Sequence, residues 1–268
     1  MTTTTYETLF VTRGSGDDSG IVTVTLNRPE KKNAINAAMW RDLQQVLDEV
    51  ADTATDRVLV MTGAGGAFCS GADLSGGNAD GPSRHQLDAM REVADVALAL
   101  HRLPKPSIAK VGGVAAGAGC AMALGCDLIV ASTEARFSVI FARRGLAIDF
   151  GSSWLLPRLV GMHRAKELAL LADILSAEDA AAMGLVNRVV APDALEGFVG
   201  DWARRLAAGP PLALRMSKQM LNNSFAVSMD QALENESWCQ TVTIGATTDA
   251  VEAMTAFVEK RTPTFRGR

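Results

Sequence analysis

The sequence predicts an α/β domain, and three observations carry that reading. Short runs rich in β-branched residues recur through the first half of the chain, at 21–26, 58–62 and 107–111. Segments with apolar residues at helical spacing separate them. Two glycine-bearing loops, GAGGAFCSGADL (63–74) and GGVAAGAGCAMALGCDL (112–128), each follow such a run and lead into a helix-like segment. Small residues in those loops let backbone N–H groups approach a ligand closely. If the loops meet, two N–H donors can share one oxygen, as an oxyanion hole requires.

The elements follow in order. The opening reads as strands: residues 6–13, a turn-rich stretch at 14–20, and a β-branched run at 21–26 that ends before Pro29. Met39, Leu43, Val46 or Leu47, and Val50 form the stripe of an amphipathic helix that Asn36 can cap. A strand at 58–62 completes a β-α-β unit. The polar, glycine-rich stretch 75–83 is expected to be a mobile lid. A helix is expected over 85–103, with Leu87, Met90, Val93, Ala97 and Leu100 on its stripe, stopped by Pro104 and Pro106. A strand at 107–111, the second loop, a short helix and a strand at 127–131 form the next unit, and 135–138 adds a further strand. From Gly151 onward the chain looks mainly helical. Ser176 opens a helix with a capping pattern, and a short extended piece lies at 184–190. Helices are expected at 192–208, 211–222 and 229–260, the last breaking near 241–248.

Composition bounds the function. The 268 residues, 48% of them hydrophobic, suit one large domain or a core with an appendage. A net charge of −4 with scattered cations, and a single tyrosine, argue against nucleic-acid binding. The opening residues carry no basic and apolar leader pattern, and no run is long and apolar enough for a bilayer, so no membrane is expected and a cytoplasmic location is. Cys69, Cys120, Cys126 and Cys239 lack paired metal spacings and read as reduced, buried thiols. With His85, His101 and His163 far apart, no metal site is expected.

Five stretches together resemble the enoyl-CoA hydratase/isomerase, or crotonase, superfamily: LNRPEKKNAIN (26–36), AFCSGADL (67–74), AAGAGCAMALGCDLIVAS (115–132), GLVNRVV (184–190) and AFVEKRTPTF (256–265). They keep the family's order over essentially the whole chain. The resemblance implies a crotonase-like spiral of repeated β-β-α units over residues 1–200, binding acyl-CoA, and a helical C-terminal region over 201–268 that builds a homotrimer or hexamer. It implies an acyl-CoA thioester as substrate, with coenzyme A part of that substrate and no separate cofactor. The hole donors it assigns are the amides of Ala72 and Ala118. Ser70, Gly71, Asp73, Leu74 and Gly117 surround them; Lys31, Lys32 and Ala34 fall where the family wraps the nucleotide and pantetheine, and Lys260 where a lysine approaches the CoA phosphates. Lys31 and Lys32 also read as solvated surface charges, Asp73 as a brace accepting backbone N–H bonds, and Asp127 as structural.

Family hydratases add water with two glutamates, whose positions match Ala121 and Phe141 here. Neither can carry a proton. Asp149 instead falls where dienoyl-CoA isomerases and ring-1,2-epoxyphenylacetyl-CoA isomerases, the latter of phenylacetate breakdown, use an aspartate. The GSSWLLPRLVG continuation resembles the latter most, although Ile148 replaces that branch's proline. The resemblance therefore implies an acyl-CoA isomerase in which Asp149 shuttles the proton. Phe137, Phe141, Ile148, Phe150 and Trp154 are candidate apolar walls that would raise its pKa. Asp149 also reads as a helix N-cap. Asp80 and Asp88 in the lid region are lesser acid candidates. Two alternatives stand beside the isomerase: an enoyl-CoA hydratase, and a non-catalytic acyl-CoA-binding subunit.

Overall fold

A computed structural model describes residues 1–75 and 85–268. The expected lid at 75–83, beyond Ser75, and Asp80 lie outside the described residues. Ten strands occupy Thr2–Thr5 (β1), Leu9–Arg13 (β2), Ile21–Leu26 (β3), Val58–Gly63 (β4), Ser107–Val111 (β5), Val114–Ala116 (β6), Leu128–Ser132 (β7), Arg136–Ser138 (β8), Leu175–Ser176 (β9) and Arg188–Val190 (β10) among the described residues. Helices occupy Ala37–Asp52 (α1), Gln86–Arg102 (α2), Ala118–Gly125 (α3), Ser152–Val160 (α4), Met162–Leu171 (α5), Ala177–Met183 (α6), Leu195–Ala207 (α7), Pro211–Asn223 (α8), Met229–Gly245 (α9) and Thr248–Glu259 (α10).

The larger sheet has the order β1-β2-β3-β4-β5-β7-β10 and the smaller β6-β8-β9. The first three strands are antiparallel; from β3 onward the large sheet is parallel. β5 and β6 are consecutive yet lie in different sheets, as are β7 and β8, and a helix follows each pair. This is the β-β-α spiral.

Period-two alternation sorts the strand residues between two layers. Leu59 and Met61 of β4 face the main core with Met39, Leu43 and Val50 of α1. Val58 and Val60 face the opposite side, where Leu195, Val199 and Ala203 of α7 cover them. Position 200 therefore falls inside a helix packed on the sheet. Asn36 caps α1 by accepting from the Met39 N–H at 2.9 Å, and Ser176 caps α6 by accepting from the Asp179 N–H at 3.0 Å, as the sequence predicts.

Some expectations shift. The threonine run β1 pairs antiparallel with β2, and the strand expected from Tyr6 starts at Leu9 because Tyr6 N–H closes a turn on the Leu9 carbonyl. On α2 the buried stripe is Val93, Val96 and Leu100, while Leu87 and Met90 are exposed. Cys69, Cys120 and Cys126 are buried, and burial pushes their thiols up to about 12. Cys239 is only half-buried, on a C-terminal helix whose apolar side chains are largely exposed. No described helix is long and apolar enough to cross a membrane.

Candidate active site

The two glycine loops meet. Phe68 and Cys69 both donate to the Val114 carbonyl at 3.0 Å, and Ala116 donates back to Cys69 at 2.9 Å. A methyl group on Gly71 would stand 2.9 Å from the Ala116 carbonyl and 3.6 Å from the Ala118 nitrogen. Gly71 (φ +99°) and Gly117 (φ +53°) take backbone conformations that L side chains rarely adopt.

Two amides of these loops, those of Ala72 and Ala118, make no backbone hydrogen bond to the described residues. Ile35 N–H donates to the Gly71 carbonyl and Asp73 N–H to the Ile35 carbonyl, both at 2.8 Å. In such a parallel bridge the intervening residue, Ala72, directs its own N–H away from the partner strand. Ala118 is the first residue of α3, where no intrahelical acceptor exists. Ala118 is buried to 2% exposure and Ala72 is exposed. The N-terminal end of α3 adds its dipole.

The remaining residues of these loops act as a frame. Arg28 donates to the Ala34 carbonyl at 2.6 Å and to Asp73 at 2.9 Å. The other Asp73 oxygen accepts from the Ser75 N–H at 3.0 Å and its hydroxyl at 2.6 Å. Ser75 foremost, then Arg28, hold the Asp73 carboxyl down to about 2. Ser70 donates from its N–H to the Lys32 carbonyl and from its hydroxyl to the Lys31 carbonyl. The Lys31 and Lys32 side chains are exposed, Ala34 is buried, and Leu74 is exposed at the last described turn. Asp127 accepts from the Ser107 N–H and hydroxyl and pairs with Lys218 at 2.8 Å, so it ties β5 to α8.

Lys260 is not brought to these loops within one chain. It is the exposed C-terminal cap of α10, a helix that packs on α9. Its tail returns to the start of β4, where Arg57 donates to the Phe265 carbonyl. Asp88 is likewise spent elsewhere, in an exposed pair with Arg91 at 3.4 Å.

Asp149 stands at the entry to α4, which packs on α3. It does not cap that helix: the N-cap is Gly151, with no side-chain bond. Asp149 instead opens a reverse turn in which Ser152 N–H donates to its carbonyl at 2.9 Å. Phe150 (φ +48°) and Gly151 (φ +77°) are the central residues, the signature of a type I′ turn. Left-handed backbone at a phenylalanine costs on the order of 1 kcal/mol or more. The Phe150 ring is 4% exposed and stacks on Trp40 at 5.6 Å between centroids. One Asp149 carboxyl oxygen is buried with no hydrogen-bond partner. Burial pushes its pKa up to about 6.

Ala121 and Phe141, at the two glutamate positions, are both buried in the main core. Phe137 and Phe150 are buried there too, and Ile148 is partly buried against the same core. Trp154 meets His101 edge-on at 5.0 Å and lines a cavity of about 850 Å³ between α2, α4 and α8. Phe150 and Gly151 contribute one wall of that cavity, whereas Ala72, Ala118 and Asp149 do not line it. Burial, then Lys218, lowers the His101 pKa.

Comparison with known proteins agrees with this architecture. Residues 16–268 match the family model described as enoyl-CoA hydratase/isomerase. The chain belongs to the enoyl-CoA hydratase/isomerase family. This family member is 40% identical over 254 residues to 1,2-epoxyphenylacetyl-CoA isomerase of Escherichia coli K12, covering 94% of this chain and 97% of the relative. It is 34% identical over 253 residues to short-chain-enoyl-CoA hydratase of Clostridium acetobutylicum, covering 90% and 92%. The crystal structure of enoyl-CoA hydratase from Bacillus anthracis superposes with a TM-score of 0.91 at 31% identity, over 98% of this chain and all of that one. Members of this crotonase fold act on acyl-CoA thioesters; isomerase and hydratase names both stand among its relatives.

Proposed function

We propose that this enzyme is an acyl-CoA isomerase that moves a double bond along an unsaturated fatty or aromatic-derived acyl group. The observation that carries the reading is the Asp149 carboxyl: half-buried, partnerless at one oxygen and free of capping duty. Buried alanine and phenylalanine stand where a hydratase pair would be, so one acid serves both proton steps.

In the proposed reaction a 3-enoyl thioester places its carbonyl oxygen between the Ala72 and Ala118 amides. The Asp149 carboxylate takes a proton from C2; the C–H bond breaks and its electron pair spreads into a dienolate whose charge rests on that oxygen. The carboxylic acid then returns the proton to C4, and the double bond closes between C2 and C3. Atoms and charge balance without redox chemistry. A base with a pKa near that of the working medium suits both directions of transfer. Lys31, Lys32 and Lys260 are the cations proposed to meet the CoA phosphates, Lys260 from a neighbouring copy. Exposed Phe257 and Val258 on α10, at 81% and 76% exposure, support assembly as a homotrimer or hexamer, which light scattering on the purified protein would measure.

The deciding experiment incubates crotonyl-CoA and a 3-enoyl-CoA separately with the enzyme and with Asp149→Asn. Rapid isomerisation of the 3-enoyl substrate, lost in the variant, supports the reading, as does deuterium entering C4 from heavy water. Rapid hydration of crotonyl-CoA that disappears in Asp149→Asn overturns it in favour of a hydratase. Thioester binding with no turnover of either substrate, and no change in the variant, leaves a binding subunit.

A further inference from the structure

Phe150 takes a conformation its residue type resists, and what surrounds it explains why it stays there. Its φ of +48° and that of Gly151 at +77° turn the chain back within two residues, directly after Asp149. Glycine is the usual occupant of such a place, because a side chain crowds its own backbone. Here the phenylalanine is kept by burial. Its ring lies against Trp40 of α1 at an interplanar angle of 25°, and a methyl group added to Gly125 of α3 would stand 3.9 Å from its edge. Trp40 is itself buried in the helix that Asn36 caps. The turn is thus fastened to α1 and α3, while the neighbouring carboxyl has no hydrogen bond on one oxygen to orient it. Strain held in place by packing, beside a group of functional interest, is an observation from which a functional role can be inferred.

We propose that Phe150, clamped by Trp40, is a positioning residue that sets where the Asp149 carboxyl stands relative to α3 and keeps water from it. The inference rests on the reading of Asp149 as the proton carrier. The ring touches no reacting atom in this scheme; it acts through the backbone of the turn. Its closest partners, Trp40 on α1 and Gly125 on α3, carry no charge; the charged and titratable groups on this side are His101 and Arg102 of α2 and Arg215 and Lys218 of α8, which line the same cavity as Phe150 and Gly151.

The test compares Phe150→Gly, Trp40→Leu, Trp40→Phe and Asp149→Asn in the full-length assembled enzyme, each first checked for a cooperative thermal melt. Phe150→Gly accepts the left-handed turn but removes the anchor. Misplacement of a catalytic group by an ångström can cost roughly 100-fold, so a fall in kcat of about 30–100-fold with KM changed less than about threefold is expected for Phe150→Gly and Trp40→Leu. The acidic limb of the kcat/KM profile should move from about 6 toward the ordinary aspartate range as the carboxyl becomes hydrated. Trp40→Phe, which preserves a stack, should keep both the rate and the limb. Should Phe150→Gly not fold, Trp40→Leu gives the same reading. Unchanged kcat and limb in either folded variant overturn the proposal, as does a loss of rate that follows melting temperature alone. If Asp149→Asn is fully active, the proton-carrier reading itself has failed; if it is inactive while the limb of Phe150→Gly stays in place, only the positioning role has.

Discussion

The guanidinium of Arg28 lies 2.9 Å from the Asp73 carboxylate and donates to the Ala34 carbonyl at 2.6 Å, so one side chain fastens both segments that flank Ala72. Both partners are mostly shielded, at 17% and 11% side-chain exposure. Removing one strands the other. Arg28→Met or Asp73→Asn is expected to cost about 1–3 kcal/mol of stability and to lower kcat/KM by loosening the Ala72 amide. Because the Asp73 pKa is depressed to about 2, its contribution is present above the unfolded value near 4 and is lost as pH falls through 2. Urea melts between pH 2 and 7 should show the two proteins converging at the acid end.

Activity should titrate with Asp149. The base must be ionised to take the first proton, so kcat/KM is expected to rise tenfold per pH unit below about 6 and to level off above it. A profile from pH 4.5 to 8 with a 3-enoyl-CoA measures the limb. A limb near 4 would mean a hydrated carboxylate and would contradict the burial seen here.

The same burial makes Asp149 a weak point of the fold. Its folded pKa is raised, so the native state binds the proton more tightly than the unfolded chain, and stability falls as pH rises from about 4 through 6. Asp149→Asn removes that penalty. At pH 7.5 it should be more stable than the parent by about 1–2 kcal/mol, a figure reduced for the partial solvent access of the carboxyl. Near pH 4 the two should melt together. Equal stability at pH 7.5 would count against a desolvated carboxylate.

Gly71 and Gly66 separate backbone strain from contact. Both have left-handed backbone, at +99° and +83°, but a methyl group on Gly71 presses on the Ala116 carbonyl whereas one on Gly66 meets nothing within 4 Å. Gly66→Ala should lose about 1 kcal/mol or a little more and stay active. Gly71→Ala should lose more stability and also drop kcat by about 10²–10³-fold, as when a hole donor is removed. Thermal melts and kcat for the two variants read the difference.

Much of this was legible from residue pattern alone. β3 and β5 begin and end where their β-branched runs do, and the Asn36 and Ser176 caps are local signals that work locally. β6 was hidden inside the second glycine loop, because three residues become a strand only by pairing with Arg136–Ser138, more than twenty positions away. The α2 stripe was misplaced where alanine is frequent, since small residues leave several faces equally apolar. The two glycine loops are legible in the residues themselves, whereas the choice of Ala72 and Ala118 as donors rests on the family resemblance. That Asp149 has no cap to make depends on Gly151 taking that post, and the Phe150–Trp40 stack joins residues 110 positions apart at a φ that residue preference argues against. That Trp154 shares a cavity wall with Phe150 and Gly151 is a matter of helix phase that spacing does not report.

From Ala118 to Leu124, every side chain or glycine of α3 is buried, and Gly119 leaves no room for a methyl beside Cys69, whose β-carbon would be 2.6 Å away. Such a segment tolerates little drift. The helices around the cavity, with Leu98, Arg102 and Arg215 open to solvent, carry no comparable constraint. Under the proposed function, side chains facing the cavity could be exchanged at less cost to the fold than any residue of α3, whose replacement would disturb the packing beneath the proposed carbonyl site.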